Sequence, residues 1–227
     1  MSAWPALVRR FIRDDSGVAL VEFAISMPLL LTIGLMGAEV AHYGMANLRV
    51  NQIAMLTADS AGRVRDSIDE KDVNDLMIGA KKIGTGIDFA DNGRIILSSL
   101  EPNTAGTYQW IRWQRCSGAK NIDSSYGFPL NSSGFAIKDA TTSTSQTKST
   151  MTAMGPTGNQ IAASSGSAVM FVEVVYDYQP IVSSFWLGPR VIRYTAAFNV
   201  RQRTDQAIKN AANLVNADKS ACNVFTA

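Results

Sequence analysis

Residues 18–41 read VALVEFAISMPLLLTIGLMGAEVA, and this stretch decides the fold. From Ala24 to Ala38 it carries no charge, with Glu22 near one end and Glu39 near the other. A helix needs about 20 predominantly apolar residues to cross a bilayer, and this run is long enough. A secretory signal peptide would have a shorter apolar run followed by small residues at a cleavage site, and Ala38-Glu39-Val40-Ala41 makes a poor one. A buried core helix is the other way to use such a run, but no other segment is apolar enough to surround it. The reading is therefore a transmembrane helix over 18–41. Arg9, Arg10 and Arg13 precede it, whereas the first basic residue after it is Arg49. That asymmetry puts a short leader, 1–17, in the cytoplasm and the long remainder in the periplasm.

The rest of the composition narrows the function classes. Apolar residues make up 46% of the chain and charged residues 18%, a balance that supports a packed core and not disorder. The net charge is +2 and the cations are dispersed, so no basic arm or patch suggests nucleic-acid binding. Cys116 and Cys222 allow a single pairing, which suits an oxidising compartment. Such a bridge would be worth about 4–5 kcal/mol in the chain-entropy picture. The alternative is two free, buried thiols.

Where the leader meets the apolar run, the sequence is Arg13-Asp14-Asp15-Ser16-Gly17-Val18-Ala19-Leu20-Val21-Glu22-Phe23. An ionised acid inside a membrane costs roughly 3 kcal/mol on insertion scales, so it usually has a partner or a task. Glu22 could simply meet the positive end of the helix dipole. A cut after Gly17 would give it another partner, the new α-amino group on Val18. Gly17, lacking a side chain, would let an extended backbone enter a peptidase cleft.

This segment, continuing through Ala24-Ile25-Ser26-Met27-Pro28 and the leucines after it, resembles the opening signature of the TadE/TadG-like family. Glu39 sits where members often carry a second acid near the helix exit. The resemblance spans about residues 8 to 50 and implies a part in assembling a tight-adherence, Flp-type pilus, a machine related to type II secretion and serving cell adhesion. By the same resemblance, Gly17 precedes a prepilin-peptidase cut, Val18 is the new N-terminus, Glu22 is the acid at mature position five and Phe23 follows it. Partners would be other pilin or pseudopilin subunits, inner-membrane assembly proteins and a prepilin peptidase. Asp14 and Asp15 depart from the more basic leaders of major pilins, so an uncleaved bitopic scaffold is the alternative.

Beyond the membrane, Ala46, Val50, Ile53, Thr57, Ala61, Val64 and Ile68 recur at spacings of three and four. They predict an amphipathic extension of the helix over 42–68. One helix from 18 to 68 would be about 75 Å long at 1.5 Å per residue. Pro28 is a candidate kink, and Gly34 and Gly37 are candidate points of close helix contact in the membrane together with Glu39. Residues 69–227 read as an α+β head. Its elements are a short helix over 69–82, strands over 94–100, 107–116, 168–178 and 191–200, and a final helix over 204–215. On the best strand, 168–178, Met170, Val172, Val174, Tyr176 and Tyr178 alternate onto one face. Residues 117–167 are rich in Ser, Thr and Gly and predict loop or weak order. Phe185 and Trp186, in the turn between the last two strands, are candidate contact residues.

Chemistry-bearing motifs are scarce. His42 is the only histidine, beside Tyr43 at the membrane exit, where an interfacial aromatic belt explains the pair. One His and two distant Cys do not make a zinc site. Gly84-Thr85-Gly86-Ile87-Asp88-Phe89 begins like a dinucleotide fingerprint but has Phe89 at the last glycine position. The sequence predicts no enzyme, no metal and no cofactor.

Overall fold

The computed structural model describes residues 15–142, 145–184 and 188–227. Phe185 and Trp186 lie outside the described residues. Helix α1 (Asp15–Arg63) is followed by strand β1 (Asp66–Asp69), helix α2 (Glu70–Ile83) and the single turn α3 (Phe89–Asn92). Strands β2 (Gly93–Pro102), β3 (Gln109–Ser117), β4 (Val169–Asp177), β5 (Val191–Asn199) and β6 (Arg203–Lys209) complete the order. Contacts divide the chain into two units. Among the described residues, one contains the first part of α1 to Gly44 together with the 180–184 segment, and the other contains the rest of the chain from Met45 onwards.

In the first unit, α1 is exposed from Gly17 to Ala38 among the described residues, which leaves its apolar run bare there. It is the one helix among the described residues that is long and apolar enough to cross a membrane. The helix runs through Pro28, which supplies no N–H to the preceding turn. The Thr32 hydroxyl donates to the Pro28 carbonyl at 2.7 Å and the Ser26 hydroxyl to the Phe23 carbonyl at 3.3 Å. Both hydroxyls thus find acceptors within the helix, as a polar group in hydrocarbon would need to.

The second unit is an α+β head. Its antiparallel sheet has the order β3-β2-β4-β5, and β1 and β6 form a separate parallel pair. Ala46, Val50, Ile53, Ala54, Thr57, Ala58 and Ala61 of α1 are buried, and so many small side chains allow a close approach. A side chain on Gly62 would come within 3.2 Å of the Asn199 carbonyl, which shows how near helix and sheet lie. On the opposite face, Leu100, Ile111, Val169 and Phe171 pack with Met154 and Ala163 from the irregular 117–167 region. The alternation read along β4 therefore has both of its faces buried, from Val169 to Tyr176, because β4 is a central strand covered on two sides. The irregular region is tied down by isolated bridges, Gln109↔Met151, Leu130↔Ala136 and Met154↔Ile161.

Helix α2 begins with a reciprocal cap. The Asp69 carboxylate accepts from the Lys71 N–H at 3.0 Å, and Asp72 accepts from the Asp69 N–H at 2.9 Å. Glu70 and Asp72 lie in its first turn and Lys81 and Lys82 in its last, matching the helix dipole.

Two sequence expectations are corrected. Helix α1 stops at Arg63, not at Ile68. Arg201 N–H and the Arg203 guanidinium donate to the Gly62 and Ala61 carbonyls at 3.3 and 3.4 Å, so the last turn is capped from outside. Asp66 then takes a left-handed φ of 56°, and Ile68 is buried as a strand residue. The helix expected over 204–215 is instead β6 followed by a turn. The Asn210 side chain accepts from the Leu214 N–H at 2.8 Å and donates to the Leu214 carbonyl at 2.9 Å, an alternative to helical bonding that asparagine favours.

Candidate functional site on the apolar helix

The residues singled out near the membrane edge all lie on α1. Gly17, Val18, Glu22 and Phe23 are exposed, Val18 and Phe23 by 59% and 63%. Gly17 and Val18 are helical, and none of the ion pairs among the described residues involves Glu22. Glu22 thus projects a carboxylate from an otherwise apolar surface, one helical turn beyond Val18. Gly34, Gly37 and Gly44 have no heavy atom within 4 Å of the place a side chain would occupy. These bare positions leave the helix backbone open to a neighbouring helix.

Glu39 behaves differently. It is 1% exposed, and its carboxylate accepts the Val182 N–H at 2.8 Å. The acid at the helix exit is thus engaged by the chain's own 180–184 segment, inside the first unit. A buried carboxylate is tolerable when hydrogen bonds satisfy it, and this one helps hold that segment beside the helix.

Cys116 and Cys222 are joined, closing a sequence separation of 106 residues. The bridge belongs to a larger clamp on the C-terminal tail. Cys116 N–H donates to the Ser220 carbonyl at 2.8 Å. The fully buried Arg94 donates to the carbonyls of Gly118, Val224 and Cys222, each at 2.7 Å, and its guanidinium stacks 4.3 Å from the Phe225 ring centroid. Burial lowers the Arg94 pKa to about 10. A second buried cation, Arg115, meets Glu70 through two nitrogens and donates to the Ala140 carbonyl at 2.8 Å, tying α2, β3 and the irregular region together. A third group, Glu101, receives a bond from Arg112 at 3.2 Å, and burial raises its pKa.

Sequence reasoning missed Arg94, Arg115, Glu70 and Glu101. A single buried charge in a strand or at a helix start carries no periodic sign of its burial, and partners that hold these residues lie as far as 130 residues away. Among the described residues, no group of three His, Cys, Asp or Glu side chains converges as a metal site.

The TadE-like protein family model matches residues 17–59, the apolar run and most of its amphipathic extension. Residues 17–59 are a TadE-like segment. Such a segment associates a protein with the Tad pilus, and it begins at the glycine that opens the apolar run. Comparison with the curated proteins and with the solved structures yields no match. The TadE-like segment ends at Asp59, so the β-sheet of the head lies wholly outside it.

Proposed function

We propose that this chain is a pseudopilin-like assembly component of a tight-adherence pilus, set in the bacterial inner membrane by residues 18–41. The observation that carries the reading is the TadE-like match on a helix whose apolar surface is bare. The leader, 1–17, lies in the cytoplasm and the head, 69–227, in the periplasm. The arginines at 9, 10 and 13 support this orientation, as does a disulfide in the head.

In this mechanism, a prepilin-type peptidase cuts after Gly17 and frees an α-amino group on Val18. Val18 and Glu22 are four residues apart in a helix, about 6 Å in rise. The new ammonium can therefore neutralise the exposed carboxylate of its own chain or of a neighbour, removing the cost of a lone acid in lipid. Gly34 and Gly37 then admit other pilin-like or assembly-protein helices, and the head makes contacts in the periplasm.

An uncut scaffold is the second reading, favoured by one observation: residues 15–18 are helical. A peptidase that takes extended backbone must first unwind that turn. Deletion of the gene tests the role common to both readings. Loss of surface pili, restored by the wild-type chain, is expected; normal piliation in the deletion strain would contradict it.

A further inference from the structure

Along the bare part of α1, from Gly17 to Ala41, every described residue is exposed except Glu39. His42 and Tyr43, three and four residues further on, are half-buried and lie on the same face of the helix. Within this unit the cover is the 180–184 segment, whose Val182 N–H donates to the Glu39 carboxylate at 2.8 Å. Val182 and Ser183 are half-buried against the helix. Ile181 is not: it is 58% exposed, as bare as Val40 at 56% on the helix beside it.

The level of this contact follows from helix geometry. From Val18 to Glu39 the helix rises about 32 Å at 1.5 Å per residue, close to the ~30 Å thickness of the hydrocarbon layer. With the arginines of the leader at the cytoplasmic face, Glu39 falls at the periplasmic boundary of that layer. A bare carboxylate is costly there, and a backbone N–H relieves the cost. The donor brings its own stretch of chain to the same level. The sequence of that stretch suits it: residues 180–187 read PIVSSFWL, and no charge stands between Asp177 and Arg190. Ile181 therefore continues the apolar surface of the helix at the edge of the bilayer, where lipid already surrounds that surface.

We propose that Glu39 tethers residues 181–184 at the periplasmic boundary of the membrane, where Ile181 enters the lipid as a second, interfacial contact. The partner is the lipid surface itself, at the junction of headgroups and acyl chains. The proposal rests on the reading of residues 18–41 as a membrane span.

The test uses the full-length protein at one copy per nanodisc of phosphatidylethanolamine and phosphatidylglycerol, so that no second copy covers the segment. Both native cysteines are held in the disulfide, so a cysteine introduced at position 181 or 30 is the one thiol to label. Ile181→Cys and, as a control for the span, Leu30→Cys each carry an environment-sensitive fluorophore. The discs are doped with lipid bearing a nitroxide either near the headgroup or near the acyl end. The shallow nitroxide is expected to quench the label at position 181 by about twofold or more and the deep one less, with the reverse order at position 30. Glu39→Ala removes the acceptor for the Val182 N–H. It is expected to lower quenching at position 181 by about twofold and to leave position 30 unchanged, a response that a dye entering lipid by itself would not give. Quenching at position 30 but not at 181, or quenching at 181 that ignores Glu39→Ala, would overturn the proposal and leave the span standing. Absence of quenching at both positions would overturn the span and the proposal with it.

Discussion

Gly79 is the plainest case of a residue the head does not need as it is. It lies inside α2, and nothing is within 4 Å of the place its side chain would occupy. Gly79→Ala is expected to stabilise the head by about 0.5–1 kcal/mol, read as a higher midpoint in chemical unfolding. Glu70 is the opposite case, because Arg115 is 0% exposed and depends on it. Glu70→Gln leaves that cation without its charge partner and is expected to cost about 3–5 kcal/mol in the same assay. Glu101 gives a pH signature. Its folded pKa is raised, chiefly by burial, so the folded protein holds this proton more tightly than the unfolded chain. The contribution is fully present below the ordinary carboxylate pKa and is lost as pH rises through the raised value. Glu101→Gln should remove that decline, and a variant whose stability keeps the wild-type pH slope across this window would count against the assignment. None of these residues could be read from sequence, since burial of a charge depends on partners distant along the chain. Glu22 and Gly17 could be read, because an acid and a glycine beside an apolar run stand out locally.

At the scale of elements, legibility followed periodicity. Ala46, Val50, Ile53, Thr57 and Ala61 announced the buried face of α1 by spacing alone, and all five are buried. The end of that helix was not legible, because it is set by donors from Arg201 and Arg203, far away in sequence. Residues 204–215 look helical in composition yet form β6 and an asparagine-held turn, since pairing with β1 outweighs local preference. The C-terminal tail is an element defined by its anchors. With the bridge reduced, the head is expected to lose about 4–5 kcal/mol by the loop-closure estimate. Because Arg94 holds the carbonyls of Cys222 and Val224, its loss and that of the bridge should be coupled. In a double-mutant cycle, Arg94→Met and Cys222→Ser are expected to cost less together than the sum of the single changes. Strict additivity would show the two anchors to be independent.

For the whole molecule, the decisive contrast is between an exposed apolar helix and a head with its own core. The TadE-like segment accounts for the first, and the proposed assembly role rests on it. Family resemblance was legible because its signature is short, contiguous and placed at the membrane edge. The head offered no such signature, and its sheet order β3-β2-β4-β5 emerges only from pairing between distant strands. The central claim is that this helix is released as a pilin-like N-terminus. Intact mass and N-terminal sequencing of the protein taken from membranes, with and without the cognate prepilin peptidase, test it most directly. The account predicts a chain beginning at Val18 only when the peptidase is present. A chain that keeps residues 1–17 in both samples would contradict it and leave the uncut scaffold in its place.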